Sequence, residues 1–144
     1  MTLLPGEVWL ADLGLASHPD TSLKQLSFAM VHSSSGEELG KLTLRVGNTH
    51  SVVLYRGHLG FSAHERFRGH RYASRSCLLL TPLLQKMRFS PIWITCNVTN
   101  EASKRSIEKI GAVYVETITV PEKYEFLKYY PPGSREKMRF RWEP

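Results

Sequence analysis

The chain has 144 residues, with 19 basic and 13 acidic side chains, a formal net charge of +6 and 42% hydrophobic residues. That length supports a single domain over 1–144 with one core, and the ordinary apolar and charged fractions mark a soluble globular class. No apolar run approaches the roughly 18 residues that span a membrane, and the start of the chain carries Glu7 and Asp12 without the basic cluster of a signal peptide, so a cytoplasmic location is expected.

The excess of positive charge suits a polyanion, an acidic cofactor or an acidic partner, and it is densest at 66–75 and 135–141. A nucleic-acid-binding module is the reading such a charge supports on its own. The thin spread elsewhere favours plain solubility, and nucleic acid is not the expected partner. Cys77 and Cys96 lie in apolar segments and read as buried thiols rather than as a disulfide or metal pair. Asn97-Val98-Thr99 matches a glycosylation acceptor in form only.

Residues 1–24 are weakly patterned; 11–24 leave room for one brief helix, and Ser17-His18-Pro19-Asp20 reads as a turn. Strands are expected at 26–32 and 39–46, the second alternating apolar and polar residues and closing at Gly47-Asn48. A third is expected over 52–63, broken near Arg56-Gly57, so that these segments form an antiparallel meander. The period then changes: Leu79, Leu80, Leu83, Leu84 and Met87 fall at helical spacing within 72–87, with a kink expected at Pro82. Residues 91–98 are nearly continuously apolar and β-branched, as in a central strand covered on both faces. Asn100 is a good N-cap and Gly111 a good C-cap for a helix over 101–110. Strands follow at 113–120 and 137–142, the last alternating basic residues outward with apolar residues inward. Trp93, Phe89 and Leu83 read as core. The order predicts a mixed α/β sheet with one parallel crossover around the helix at 70–87.

The most informative stretch is FSAHERFRGHRYA at 61–73. It reads as a strand running through a charged turn into the first turn of a helix. A helix start presents unpaired N–H groups and the positive end of the helix dipole. Gly69 permits close approach of backbone to a ligand, and Arg68 and Arg71 add full charge. The chemistry that suits this arrangement is a phosphate or pyrophosphate cradle.

Two blocks then carry a family resemblance. Arg68-Gly69-His70-Arg71-Tyr72-Ala73 resembles the R/Q-x-x-G-x-G/A motif of the GNAT superfamily of acetyl-CoA-dependent N-acetyltransferases. Asn100, Ser103, Glu108, Lys109 and Gly111 resemble its N-x-x-S-x-x-x-x-E-K-x-G block. The likeness runs from Leu42 to the C-terminus and is nearest to the branch that holds the ribosomal-protein N-terminal acetyltransferases. It implies a GNAT-like fold: an antiparallel meander, then strand-helix-strand-helix-strand-strand, with two central parallel strands splayed around the cofactor. It also implies acetyl-CoA as co-substrate, a primary amine on a small molecule or a protein N-terminus as acceptor, and no metal.

Carried over residue by residue, the resemblance assigns the pyrophosphate to Arg68, Gly69, His70, Arg71, Tyr72 and Ala73. It assigns carbonyl polarisation to the backbone of Phe61, Ser62 and Ala63, whose alternative is plain sheet pairing. Asn100 and Ser103 fall beside the pantetheine arm, a role compatible with capping the second helix. Arg71 stands where the family has its middle glycine, and there it either crowds the cofactor or pairs with a phosphate. Ile107 stands where many members carry the tyrosine that protonates the leaving thiolate, which makes Ser103 the substitute donor. For a base the candidates are Glu65 and His64, with His58, Tyr55 and Glu116 further off and a water chain as the alternative to any of them. Tyr129 and Tyr130 either line the acceptor site or pack a loop. The short region before the meander leaves the acceptor cleft open or completed by a second subunit, so a homodimer is a possible partner state.

Overall fold

The computed structural model describes residues 8–18 and 23–144. Strands β1 (Val8–His18), β2 (Leu23–His32), β3 (Glu38–Arg45) and β4 (Leu59–Ala63) form the expected antiparallel meander. Helices α1 (Tyr72–Leu79) and α2 (Thr81–Lys86) lead to β5 (Ile92–Asn97), α3 (Glu101–Lys109), β6 (Val113–Thr119) and β7 (Glu136–Trp142). The seven strands make one sheet in the order β1-β2-β3-β4-β5-β7-β6, in which β4 and β5 are the parallel pair. No described helix is long and apolar enough to cross a membrane.

Several expectations are corrected. The region 11–24, which leaves room for at most one brief helix, is strand at its described residues: β1 and β2 pair from Val8 opposite His32 to His18 opposite Leu23, with a bulge between Asp12 and Gly14. Pairing with β2 satisfies the inward-facing backbone groups of this edge strand, whereas a helix of so few residues is marginal on its own. Ser17 and His18 of the expected turn end β1; Pro19 and Asp20 lie outside the described residues. The strand expected over 52–63 is a π-helical turn, Val52–Arg56, followed by β4. Burial of Val52 and Tyr55, the latter against Val120 and Tyr130, overrides the β-propensity of Val52 and Val53.

The single helix expected at 72–87 breaks at Leu80, and Pro82 opens α2 instead of kinking a longer helix. Proline's fixed φ and missing donor suit a first turn. Leu83 is exposed rather than core, while Trp93 and Phe89 are half-buried. In β7 the alternation holds for Phe140 and Trp142, which are buried, but Arg139 does not face outward. Its guanidinium is buried 4.2 Å from the Trp93 ring centroid, donates to Val53 O and pairs with Glu116 at 2.6 Å. A buried guanidinium is tolerated because the backbone carbonyl and the carboxylate both take its protons.

The main core gathers Met30, Leu42 and Leu59 from the meander, Ala73 and Cys77 from α1, Ile94 from β5, Ile107 from α3 and Phe140 from β7. Both cysteines are free and buried, and burial pushes the Cys77 thiol up to about 12 and the Cys96 thiol to about 11. A smaller cluster of Tyr55, Val120 and Tyr130 is separate.

The parallel pair meets at Leu59 opposite Ile94, and just before that point His58 stitches the two strands. Its N–H donates to Trp93 O at 2.6 Å, and the Trp93 N–H donates to His58 Nδ1 at 2.8 Å. With Nδ1 accepting, the ring proton sits on Nε2, which lies 3.0 Å from both Gly47 O and Asn48 Oδ1. Gly57 makes the approach possible, since a Cβ there would stand 2.8 Å from Trp93 O. Burial lowers the His58 pKa to about 4, opposed by the Gly47 bond and assisted by the Arg45 charge. His58 is thus a neutral structural group and not a base.

The unfolded chain therefore binds a proton at His58 that the native state refuses between about pH 6.5 and pH 4. Stability from this residue is full above pH 6.5 and is lost as pH falls towards 4, by an amount on the order of 3 kcal/mol. Urea titrations of the wild type and His58→Gln across this window should show a shallower acid slope in the variant; equal slopes would rule out His58 as the source.

Candidate active site

Beyond Leu59 and Ile94 the strands β4 and β5 part, and a cleft of about 470 Å³ opens toward the starts of α1 and α3. The antiparallel ladder with β3 fixes which β4 groups face it. His64 N–H donates to Leu39 O at 2.8 Å, so by alternation the N–H of Ser62 turns to β3 and those of Phe61 and Ala63 turn to the side β5 has left. This separates the three strand residues: the backbone donors available to a ligand are those of Phe61 and Ala63, while Ser62 contributes its exposed side chain.

The chain then passes through a 3₁₀ turn, Glu65–Phe67, into α1. Gly69 adopts φ 90°, and a Cβ added to it would meet nothing within 4 Å, so its surroundings are open. Arg71 is the N-cap of α1 and holds φ 61°, ψ 26°, the left-handed region, without a side-chain cap. The first turn of α1 contains no acidic residue. Arg68 and Arg71 are exposed, line the cleft and have no carboxylate partner among the described residues. Unpaired N–H groups, the helix dipole and two guanidinium groups there converge on one anion-sized region.

The opposite wall is the start of α3. Asn100 caps it, accepting the Ser103 N–H at 3.1 Å, so the capping role expected for this pair is present. Ser103 Oγ stays available toward the cleft. Ser74 Oγ donates to Ser106 O at 3.1 Å and ties α1 to α3, fixing the width between the walls.

Of the residues expected from the sequence, Phe61, Ser62, Ala63, Arg68, Gly69, Arg71, Tyr72, Ala73, Asn100 and Ser103 line this one cleft. His70 lines an adjoining depression with Gly69, Arg71, Tyr72 and Arg75, and its ring stacks on Tyr72 at 5.3 Å. His64 and Glu65 are not brought to the cleft. His64 Nε2 lies 2.7 Å from Glu38 on the surface, and Glu65 is exposed in the 3₁₀ turn. Tyr55 is buried among aromatic rings, where burial raises its pKa, and Glu116 is paired with Arg139. Tyr130 is buried in the same aromatic cluster and Tyr129 packs against it, which is the packed-loop alternative.

Phe67, Ser74, Ala102, Arg105 and Ser106 also line the cleft and escaped the sequence reading, as does Lys109, which the second block contains without a site role being assigned to it. Helical spacing from Ser103 to Ser106 and from Arg105 to Lys109 was the available signal. No group of three or more His, Cys, Asp or Glu among the described residues is arranged to hold a metal ion.

Residues 7–113 match the family model described as an acetyltransferase (GNAT) domain. A comparison with curated protein sequences returned no match. Among solved structures, the fold is similar to a ribosomal-protein-S5-alanine acetyltransferase from Vibrio fischeri, with a TM-score of 0.62 and 16% identity over 83% of this chain and 64% of that one. It is similar to RimL, a ribosomal L7/L12 α-N-protein acetyltransferase solved with coenzyme A, with a TM-score of 0.63 and 17% identity over 83% and 62%. It is also similar to MccE, the microcin C7 self-immunity acetyltransferase solved with acetyl-CoA and AMP, with a TM-score of 0.60 and 13% identity over 83% and 61%. The chain thus spans under two thirds of the length of each of these three proteins.

A non-glycine residue in the left-handed region costs about 1–2 kcal/mol, of which glycine's extra chain entropy returns part. Arg71→Gly should therefore stabilise the fold by about 1 kcal/mol in urea denaturation. A variant no more stable than the wild type would show that the Arg71 backbone carries no strain.

Proposed function

Because the chain belongs to the GNAT acetyltransferase family, we propose that it transfers the acetyl group of acetyl-CoA to a primary amine by direct attack within a ternary complex. The observation that carries this reading is the juxtaposition of the parted β4 and β5 with the uncompensated positive charge at the start of α1. The cleft suits the co-substrate in its donor set. An elongated diphosphate-bearing molecule needs backbone donors, cations and an apolar wall in sequence, and Ala63, Arg68 with Arg71, and Phe67 with Tyr72 supply them.

In this reading the N–H groups of Phe61 and Ala63 polarise the thioester carbonyl, as fixed donors aimed at developing negative charge do. Arg68, Gly69 and Arg71 hold the diphosphate, and Arg105 and Lys109 add charge from α3. Bound acetyl-CoA supplies an acetyl group already activated as a thioester, so no covalent intermediate on the protein is required. Ile107 is fully buried in the core, so its position offers the thiolate nothing. Ser103 Oγ takes the donor role, its backbone held by the Asn100 cap. With His64 and Glu65 turned away from the cleft, the acceptor's proton leaves through water.

A second reading, a coenzyme A-binding protein without turnover, is favoured by Ile107 and by the lack of a base among the described cleft residues. Calorimetry with acetyl-CoA and a thiol-release assay over a panel of primary amines separate the two. Binding with turnover supports the transferase; binding with no turnover on any amine supports the second reading; no binding removes both. Gly69→Asp, which sets a carboxylate in the cradle, should abolish acetyl-CoA binding while circular dichroism stays native. Ser103→Ala should lower kcat by about tenfold or more and leave acetyl-CoA affinity within about threefold; an unchanged kcat would remove Ser103 from the mechanism.

A further inference from the structure

The face of the sheet away from α1 and α3 carries a second concentration of positive charge that the diphosphate cannot use. Lys137, the second residue of β7, lies opposite Asn97, the last residue of β5. Its alternate neighbours Met138 and Phe140 pack into the main core, so the Lys137 side chain stands on the other face. There the ammonium donates to Asn97 Oδ1 at 2.7 Å and to Ser134 Oγ at 3.1 Å. It lies 5.6 Å from the centroid of the Tyr130 ring, and the Arg56 guanidinium lies 5.1 Å from the same centroid. An ammonium has three protons to donate, and both acceptors present are neutral. Among the described residues no carboxylate reaches Lys137. Partial burial and the Arg56 charge bring its pKa down to about 8, as expected for a cation short of anionic partners.

The position of this cluster selects its role. Asn97 O accepts the Asn100 N–H at 2.9 Å, and Asn100 lines the cofactor cleft. Lys137 therefore stands beside the C-terminal end of β5, one strand over from the opening between β4 and β5 and on the opposite face of the sheet from α1 and α3. We propose that Lys137, positioned by Asn97 and Ser134, forms a carboxylate-binding subsite, and that the preferred acceptors are primary amines that also bear a free carboxylate. The acceptor role rests on the acetyl-transfer reading above; the carboxylate subsite itself does not. Ser134 Oγ itself donates to Asn97 Oδ1 at 3.4 Å, so the donor left for a carboxylate oxygen is the third ammonium proton of Lys137, flanked by the Tyr130 ring. A bound anion would favour the charged form of the amine further, so binding and charge reinforce each other.

The test uses two pairs of N-terminally free dipeptides, each pair differing in one charge. Ala-Asp amide against Ala-Asn amide reads a side-chain carboxylate, and Ala-Ala acid against Ala-Ala amide reads a terminal one. Affinity is measured by calorimetry on the wild type with and without coenzyme A, and on Lys137→Gln and Lys137→Arg. The wild type should favour the carboxylate member of at least one pair by about tenfold. Lys137→Gln should lose that preference while coenzyme A affinity and melting temperature stay the same, and Lys137→Arg should keep most of it. A wild type that binds acid and amide members equally in both pairs overturns the subsite, and so does a Lys137→Gln variant that retains the preference. A protein that fails to bind coenzyme A but still discriminates the dipeptides would sink the acetyl-transfer reading and leave the carboxylate subsite standing.

Discussion

The pair of hydrogen bonds between His58 and Trp93 is the constraint on which the cleft depends. A parallel pair held along its whole length would present no free backbone donor and no gap. Here β4 and β5 are fastened at one end, by the His58 N–H and the Trp93 N–H, and are paired at Leu59 and Ile94 before they separate. Each strand is then held from its outer side, β4 by β3 and β5 by β7, so the divergence leaves neither strand unsupported. The imidazole must stay neutral to accept at Nδ1, and burial enforces that state. Stability of the fold and geometry of the site therefore share one side chain.

The second constraint is electrostatic. The start of α1 gathers Arg68, Arg71 and the helix N–H groups without an acid in the first turn, and α3 adds Arg105 and Lys109 across the gap. Such an arrangement is repulsive until an anion enters it, and Ser74 to Ser106 is one of the bonds that keep the walls from spreading. Arg71 shows the compromise most directly, because its backbone takes a conformation better suited to glycine while its side chain lines the cradle. Strain of this kind persists where surrounding structure holds it in place.

The sheet divides the chemistry between its faces. Toward α1 and α3 lie the apolar core and the diphosphate cradle; on the other face lie the π-helical turn, the aromatic cluster and the polar ends of β5 and β7. Arg139 and Lys137 show that this second face is not simply solvent. Arg139 is buried beneath Val53 and Trp93, and Lys137 is held by Asn97 and Ser134.

Local rules made much of this legible in the sequence. Alternation located β3, β6 and β7, the continuous apolar run located β5, and the cap pair Asn100 and Gly111 bounded α3, because these patterns report backbone periods directly. The strand-to-helix passage at 61–73 likewise announced an anion site, since charge and glycine at a helix start act over a few residues. The sequence did not show that 52–56 would wind into a π-turn, that Arg139 would be buried, or that His64 and Glu65 would turn away from the cleft. Those outcomes are set by partners distant in the chain: Val120 and Tyr130 for Tyr55, Trp93 and Val53 for Arg139, Glu38 for His64. The sequence by itself determined most of the order of elements from β2 onward and the basic, glycine-bearing turn at 61–73, whereas only the tertiary structure decided which donors face the opening. That second choice depends on where one strand stops pairing with its neighbour, and no local period encodes it.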